Sequence, residues 1–496
     1  MAGLLVEMHR RTEGESQVAR WNAKKTIISA EEMAPEHRLK PTLGWPHLIA
    51  LGVGAIVGTG ILTLTGVGAA KAGPAVILSF AIAGLICAAA ALAYAEMATM
   101  MPASGSAYTY TYVVLGELLA WIVGWSLILE YSLVVSAVAV GWSGYASPLL
   151  IDWSGFPSWL THAPVFEGSL RDGTLHMTAA GLNVPAIFII GVIAALLIAG
   201  TKESATLNAA LVLVKVVALI VFVAVTLPYF DAANFEPFMP YGFPKSGPPG
   251  AEVGVMAAAA IIFFAFYGFD AIATAAEETR NPGRDLKIGI VGSMFVCVII
   301  YMAVAAAAIG ALAYTRFANS PEPLALILRE IGQPTAAYYL GVSAVVALPT
   351  VILAFFYGQS RIFFVMARDG LIPQNLARVS GRGSPVRITI FTAIVVAILA
   401  GLIPLADLAA LANAGTLTAF IAVCVCMLVL RRRAPEATRR FRTPWAWPVG
   451  IFGILGCLYL LYSLPQRTQI WFLGAQILGL LIYLAYGARR SVAGRT

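Results

Sequence analysis

The stretch GVGAIVGTG at residues 52–60 lies inside an apolar run long enough to be a membrane helix. Its four glycines, Gly52, Gly54, Gly58 and Gly60, each weaken a helix by roughly 1 kcal/mol relative to alanine. In hydrocarbon an unpaired backbone group costs several kcal/mol, so a helix interrupted at membrane depth survives only where the loose backbone lines a polar cavity. The stretch is therefore read as the breaking point of a spanning helix, kept because it builds a site.

The rest of the chain agrees with a membrane setting. Of its 496 residues 59% are hydrophobic and 11% are charged, against about 25% charged in soluble domains. The apolar residues come in blocks, and blocks of about 18 or more read as spanning helices. Twelve spans are expected, at about 46–69, 74–101, 118–143, 182–200, 205–229, 252–276, 287–313, 335–358, 386–404, 408–430, 445–464 and 468–487. They form one domain over 43–487, between an N-terminal tail, 1–42, and a C-terminal tail, 488–496. No secretory signal is read in the polar, basic first 40 residues.

Charge sets the expected orientation. Twenty-five lysines and arginines fall in the N-terminal tail, the even-numbered connections and the C-terminus. Only Lys71, Arg171, Lys245, Arg316, Arg329 and Arg467 fall on the opposite side. This bias places both termini in the cytoplasm. It also accounts for the net charge of +7 without nucleic acid: the run RRRAPEATRRFR (431–442) sits between two spans, where it fixes topology and can touch anionic lipid. The five cysteines all lie in apolar blocks, with no zinc-type spacing to histidines, and read as small buried hydrophobes. No metal or cofactor is expected.

A second interruption matches the first. Residues 263–270 read FFAFYGFD, with Gly268 and Asp270 near the middle of the sixth span. Spans 1–5 and 6–10 pair at offsets of about 203–217 residues, giving repeats over about 43–229 and 250–430 and two extra spans over about 445–487. Five is odd, so the second repeat is inverted. Matching interruptions in two inverted halves point to a transporter site at the midplane. At such a site the free N–H groups of Gly58, Thr59 and Gly60 attract a carboxylate. The carbonyls near Ile56 and from Phe264 through Ala265 to Tyr267 accept from an ammonium. Together they describe an α-amino-acid site. A side chain placed at Gly58 is expected to occupy the carboxylate's place.

At this point the motifs GVGAIVGTGIL, GFDAIATAAEETRNPGRDLKIGI (268–290) and GQSRIFFVMARDGLIP (358–373) resemble the amino acid–polyamine–organocation superfamily, most closely its cationic amino acid transporter branch and bacterial homologues. The resemblance runs from about residue 39 to 487. It implies an all-α integral membrane protein of LeuT-like fold, a 5+5 inverted repeat with discontinuous spans 1 and 6. It also implies a scaffold of spans 3, 4, 8 and 9 against a mobile bundle of spans 1, 2, 6 and 7. The implied setting is a bacterial inner membrane. The implied activity is secondary active transport of L-amino acids, proton-coupled and open to cationic substrates. Exchange of amino acids or polyamines, and non-transporting amino-acid sensing on the same fold, stay open as alternatives. Phe264 stands at the family's position for a gate over the substrate.

Three ionisable residues lie deep in spans, where charge is expensive and functional by default. Lys215, in ALVLVKVVALIVF, is too central to reach the interface. The resemblance puts its ammonium where sodium bridges spans 1, 5 and 8 in sodium-coupled relatives. Proton coupling and a permanently charged strut are the two readings. Glu130, mid-span 3, is implied to face the substrate pocket, where it meets a cationic side chain or a water chain; a protonated glutamate bonded to a neighbouring helix is the alternative. Asp270 is read as a cap on the second half of span 6, with substrate contact as the alternative. Glu277 and Glu278, with Arg280 and Arg284, form a gate or a solvated ion-pair cluster that Glu96 joins.

Other classes fit less well. A major-facilitator protein needs a long loop between spans 6 and 7, and here about ten residues connect them. A channel needs charge rings or a filter repeat. An enzyme needs a nucleophile–base pair or metal ligands, yet all five histidines lie in tails, loops or a span end. The expected partners are an amino acid, protons and the lipid bilayer, with no nucleic acid.

Overall fold

A computed structural model describes residues 43–102, 105–167, 176–199, 205–274, 279–318, 320–373 and 386–491. The first helices are α1 (Trp45–Ile56), α2 (Thr59–Leu62), α3 (Leu64–Ala72), α4 (Val76–Met100), α5 (Ser106–Val114) and α6 (Glu117–Ser154). A short antiparallel ladder follows, β1 (Val165–Glu167) with β2 (His176–Ala179). Then come α7 (Val184–Ala199), α8 (Ala205–Thr226), α9 (Val255–Ile262), α10 (Asp270–Thr274) and α11 (Pro282–Ala311). The chain continues through α12 (Tyr314–Phe317), α13 (Pro323–Glu330), α14 (Pro334–Arg368), α15 (Val386–Leu402) and α16 (Leu405–Arg433). It closes with α17 (Ala446–Ser463), α18 (Gln466–Ile482), a π-helical turn and α19 (Ala488–Arg490).

Among the described residues nine helical stretches are long and apolar enough to cross a membrane, and α1, α7 and α15 are shorter apolar helices. The fold is thus helical, apart from the β1–β2 ladder in a loop whose sequence carried no reading. Several helix starts are set by proline in the first turn, as in α1, α11, α13 and α14, where a missing N–H costs nothing. The 38-residue α6 stops at Gly155, whose left-handed backbone (φ 65°) suits glycine at a helix C-terminus.

The site is built by how these helices pack. α6 runs along both α14 and α16, and α4 along α11. The broken segments α1–α2–α3 and α9–α10 lie inside this frame: every described residue from Gly52 to Gly66 is buried, as is every one from Gly254 to Asp270.

Candidate functional site

Both expected interruptions are present. α1 ends at Ile56, Val57 turns to an extended conformation (φ −74°, ψ 98°), and α2 starts after Gly58. The first backbone bonds beyond the break are Leu62 N–H to Gly58 O, 3.3 Å, and Thr63 N–H to Thr59 O, 2.9 Å. The N–H groups of Gly58, Thr59, Gly60 and Ile61 therefore donate to no backbone carbonyl among the described residues. In the second break α9 tightens to a 3-10 turn at Phe263–Ala265 and unwinds through Gly268, which adopts φ 120° before α10 begins. The carbonyls of Phe264, Ala265, Phe266 and Tyr267 accept no backbone hydrogen bond among the described residues.

The two breaks touch each other reciprocally. A Cβ on Gly60 would stand 2.3 Å from the Ala265 Cα, and one on Gly268 would stand 2.9 Å from the Ala55 carbonyl carbon. Glycine is needed at both positions because the two backbones approach within contact distance. This contact brings one group of free donors and one group of free acceptors to a single place. Ile56, Gly58, Thr59, Gly60, Phe264 and Tyr267 all border a small cavity there. Its other walls are Ala55, Val134 and Val138 of α6, and Val351 and Phe355 of α14. The cavity volume is about 10 Å3, room for one water, so a solute enters only when its walls move apart. Phe264 and Tyr267 stack edge-on, 5.0 Å between ring centres, and Tyr267 meets Phe355 at 6.2 Å. Moving this aromatic group is the direct way to enlarge the space.

Freed helix-end carbonyls need donors, and side chains from four other helices supply them. Lys215 Nζ donates to Gly54 O at 3.1 Å and to the Thr350 hydroxyl at 3.0 Å, so it links α8 to α1 and α14 while only 5% exposed. Tyr301 Oη donates to Ile56 O at 2.7 Å, and Tyr145 Oη to Leu62 O at 2.7 Å. The Asn413 amide donates to Ala260 O and Ile261 O. Sequence reasoning found Lys215 by its charge. It missed Tyr145, Tyr301 and Asn413, whose signal was only a neutral polar group in an apolar span.

The remaining expected residues take other positions. Ala265 packs under Gly60 rather than bordering the cavity. Glu130 is fully buried but also outside that border. Its Cβ lies against Gly415 of α16, where an added Cβ would stand 3.2 Å from it, and neither carboxyl oxygen has a hydrogen-bond partner among the described residues. Asp270 opens α10; its carboxylate accepts from Gly268 N–H at 3.0 Å and Tyr131 Oη at 3.1 Å, tying the turn to α6. Glu277 and Glu278 lie outside the described residues. Glu96 joins a different cluster from the expected one. It accepts two bonds from Arg431, at 2.8 and 2.7 Å, one from Arg439 at 3.2 Å and one from Thr443 N–H at 2.8 Å. The cause is packing of α4 against α16 and α17, which brings the end of α4 under the basic 431–442 segment.

The double helix break thus sets a group of donors beside a group of acceptors. The profile of the amino acid permease family matches residues 43–481. The chain belongs to this family. The permease is 43% identical over 461 residues to the branched-chain amino acid permease BcaP of Bacillus subtilis (strain 168), covering 92% of this chain and 95% of that one. It is 40% identical to the methylthioribose transporter of the same organism, over 95% of this chain and 99% of that one. Against the vacuolar cationic amino acid transporter 4 of Arabidopsis thaliana it is 37% identical, over 81% of this chain and 65% of that one. These relatives are named as permeases and transporters, and the permease is itself a multi-pass membrane transport protein rather than an enzyme.

Proposed function

We propose that the permease is a proton-driven secondary transporter of L-amino acids with apolar, branched side chains. It works on twelve spans arranged as a 5+5 inverted repeat, with both termini in the cytoplasm of a bacterial cell. The observation that carries the substrate class is the cavity wall. Apart from Gly58, Gly60 and the hydroxyl-bearing Thr59 and Tyr267, the residues bordering the space are Ala55, Ile56, Val134, Val138, Phe264, Val351 and Phe355, all apolar. An apolar wall favours an aliphatic side chain and penalises an unpaired ammonium or guanidinium. Glu130 is not among the residues that border the space. The name of the Bacillus relative points the same way.

In this reading the substrate carboxylate takes the N–H groups of Gly58, Thr59 and Gly60, and its ammonium takes the carbonyls of Ile56 and Phe264 to Tyr267. Phe264 is the gate. Lys215 is the coupling residue: its ammonium ties α8 to α1 and α14, and loss of its proton releases those ties. Asp270 holds the turn of the second break.

Uptake into proteoliposomes tests this. Leucine, isoleucine and valine should be accumulated in preference to lysine, arginine and methylthioribose. Accumulation should rise as the outside is made acidic, collapse with a protonophore, and stay unchanged when choline replaces sodium. A preference for lysine, or for methylthioribose, would overturn the substrate class. A sodium requirement would overturn the coupling. Binding with no net or exchange flux would make the protein a sensor, and flux only against internal amino acid would make it an exchanger.

A further inference from the structure

The second break is held from one side by a single helix face. Asn413 on α16 is fully buried, and its amide nitrogen lies 2.7 Å from Ala260 O and 3.0 Å from Ile261 O. Both carbonyls belong to the last turn of α9, just before the chain tightens into the 3-10 turn at Phe263–Ala265. A carbonyl accepts only from the NH2 side of an amide, so it is the amide nitrogen of Asn413 that is turned to this helix end. Its own Oδ1 has no hydrogen-bond partner among the described residues. The residue is thus present for its donors. Two turns along the same face, Phe420 packs against Phe263 at 5.7 Å and against Phe269 at 5.2 Å, one ring on each side of the turn. Between those two points lie Phe264 and Tyr267, which border the cavity.

We propose that Asn413 is a positioning residue for the substrate site. It fixes the angle at which the chain leaves α9, and so the placement of Phe264, Tyr267 and the free carbonyls from 264 to 267. An apolar residue of the same size would fill the space and take the side-chain donor away from both buried carbonyls, a loss the turn would relieve by moving. The inference rests on the proposed function for the meaning of the site, and its test is separate. Wild-type uptake of the panel above decides the function. Asn413 is read only from variants relative to wild type, with whichever solute of that panel the wild type carries.

The variants are Asn413→Leu and Asn413→Asp in proteoliposomes, with Thr418→Val as control. Thr418 is on the same helix and donates to Ala414 O of its own helix, at 2.8 Å. The expected result is a KM raised about tenfold in both Asn413 variants, the equivalent of one to two lost hydrogen bonds. Maximal rate should stay near that of wild type, and Thr418→Val should keep the wild-type KM. Asn413→His, which restores one ring donor, should give an intermediate KM and serves if Asn413→Leu yields no folded protein. A wild-type KM in Asn413→Asp and Asn413→His, or a fall in maximal rate at unchanged KM, would overturn the assignment.

Discussion

Adding one methyl group at Gly60 tests whether the two breaks form the site by touching. In Gly60→Ala the new Cβ would lie 2.3 Å from the Ala265 Cα, 2.6 Å from its Cβ and 3.0 Å from its backbone nitrogen. Unbonded carbons sit at about 3.5–4.0 Å, so one break must retreat from the other by more than about 1 Å. The nearest atoms are backbone and a methyl, and no flexible side chain can swing aside. Overpacking of this kind costs about 1–3 kcal/mol in stability. The larger effect is on binding. A displacement of this size takes the N–H groups near Gly60 out of line with a carboxylate held by the carbonyls near Ala265. One charge-assisted bond lost at about 1.5–3 kcal/mol weakens affinity by about 10- to 100-fold. The assay is equilibrium binding of labelled leucine to the purified protein, with a thermal melt beside it. Gly58→Ala is the control for stability, because its Cβ meets nothing closer than a Val351 methyl at 3.4 Å, and it should melt like wild type. Gly60→Ala with wild-type affinity and melting temperature would refute the reasoning. So would a Gly58→Ala protein that melts as low as Gly60→Ala, since the glycines would then serve flexibility rather than close approach.

Lys215→Met should still bind leucine but fail to concentrate it, because no proton-carrying group would then link α8 to Gly54 and Thr350; concentrative, pH-dependent uptake by this variant would make the lysine a strut. Tyr301→Phe removes only the hydroxyl that donates to Ile56 O and should destabilise the protein by about 1–3 kcal/mol, seen as a lower melting temperature; an unchanged melt would show that this carbonyl needs no donor. Glu130→Gln should leave leucine affinity close to wild type, since Glu130 does not border the cavity; a selective loss of lysine uptake would return its carboxylate to the substrate.

How far the site could be read from the sequence depends on the kind of signal each residue gives. The breaks at 52–60 and 263–270 were legible because glycine frequency and hydropathy are local properties. Their conflict, glycines inside hydrocarbon, has few physical resolutions. Lys215 was legible for the same reason: a lysine flanked by apolar turns is costly unless it is used. Glu130 shows the limit. α6 is apolar on nearly every side, so nothing in its sequence says which way residue 130 points. Glu96 is similar, since its two arginines lie more than 300 residues away in the chain.

By itself the sequence determined the membrane setting, the two interrupted helices and the chemical poles they expose, because each follows from composition within a short window. Only the tertiary structure decided which residues wall the cavity and which donors close the broken helix ends. Val134, Val138, Val351 and Phe355 are indistinguishable in sequence from the apolar residues around them. Tyr145, Tyr301 and Asn413 are ordinary polar residues until their partners are known. The physical reason is rotation: a helix that is apolar all round carries no record of which face it turns inward, and that is set by contacts with segments far away in the chain.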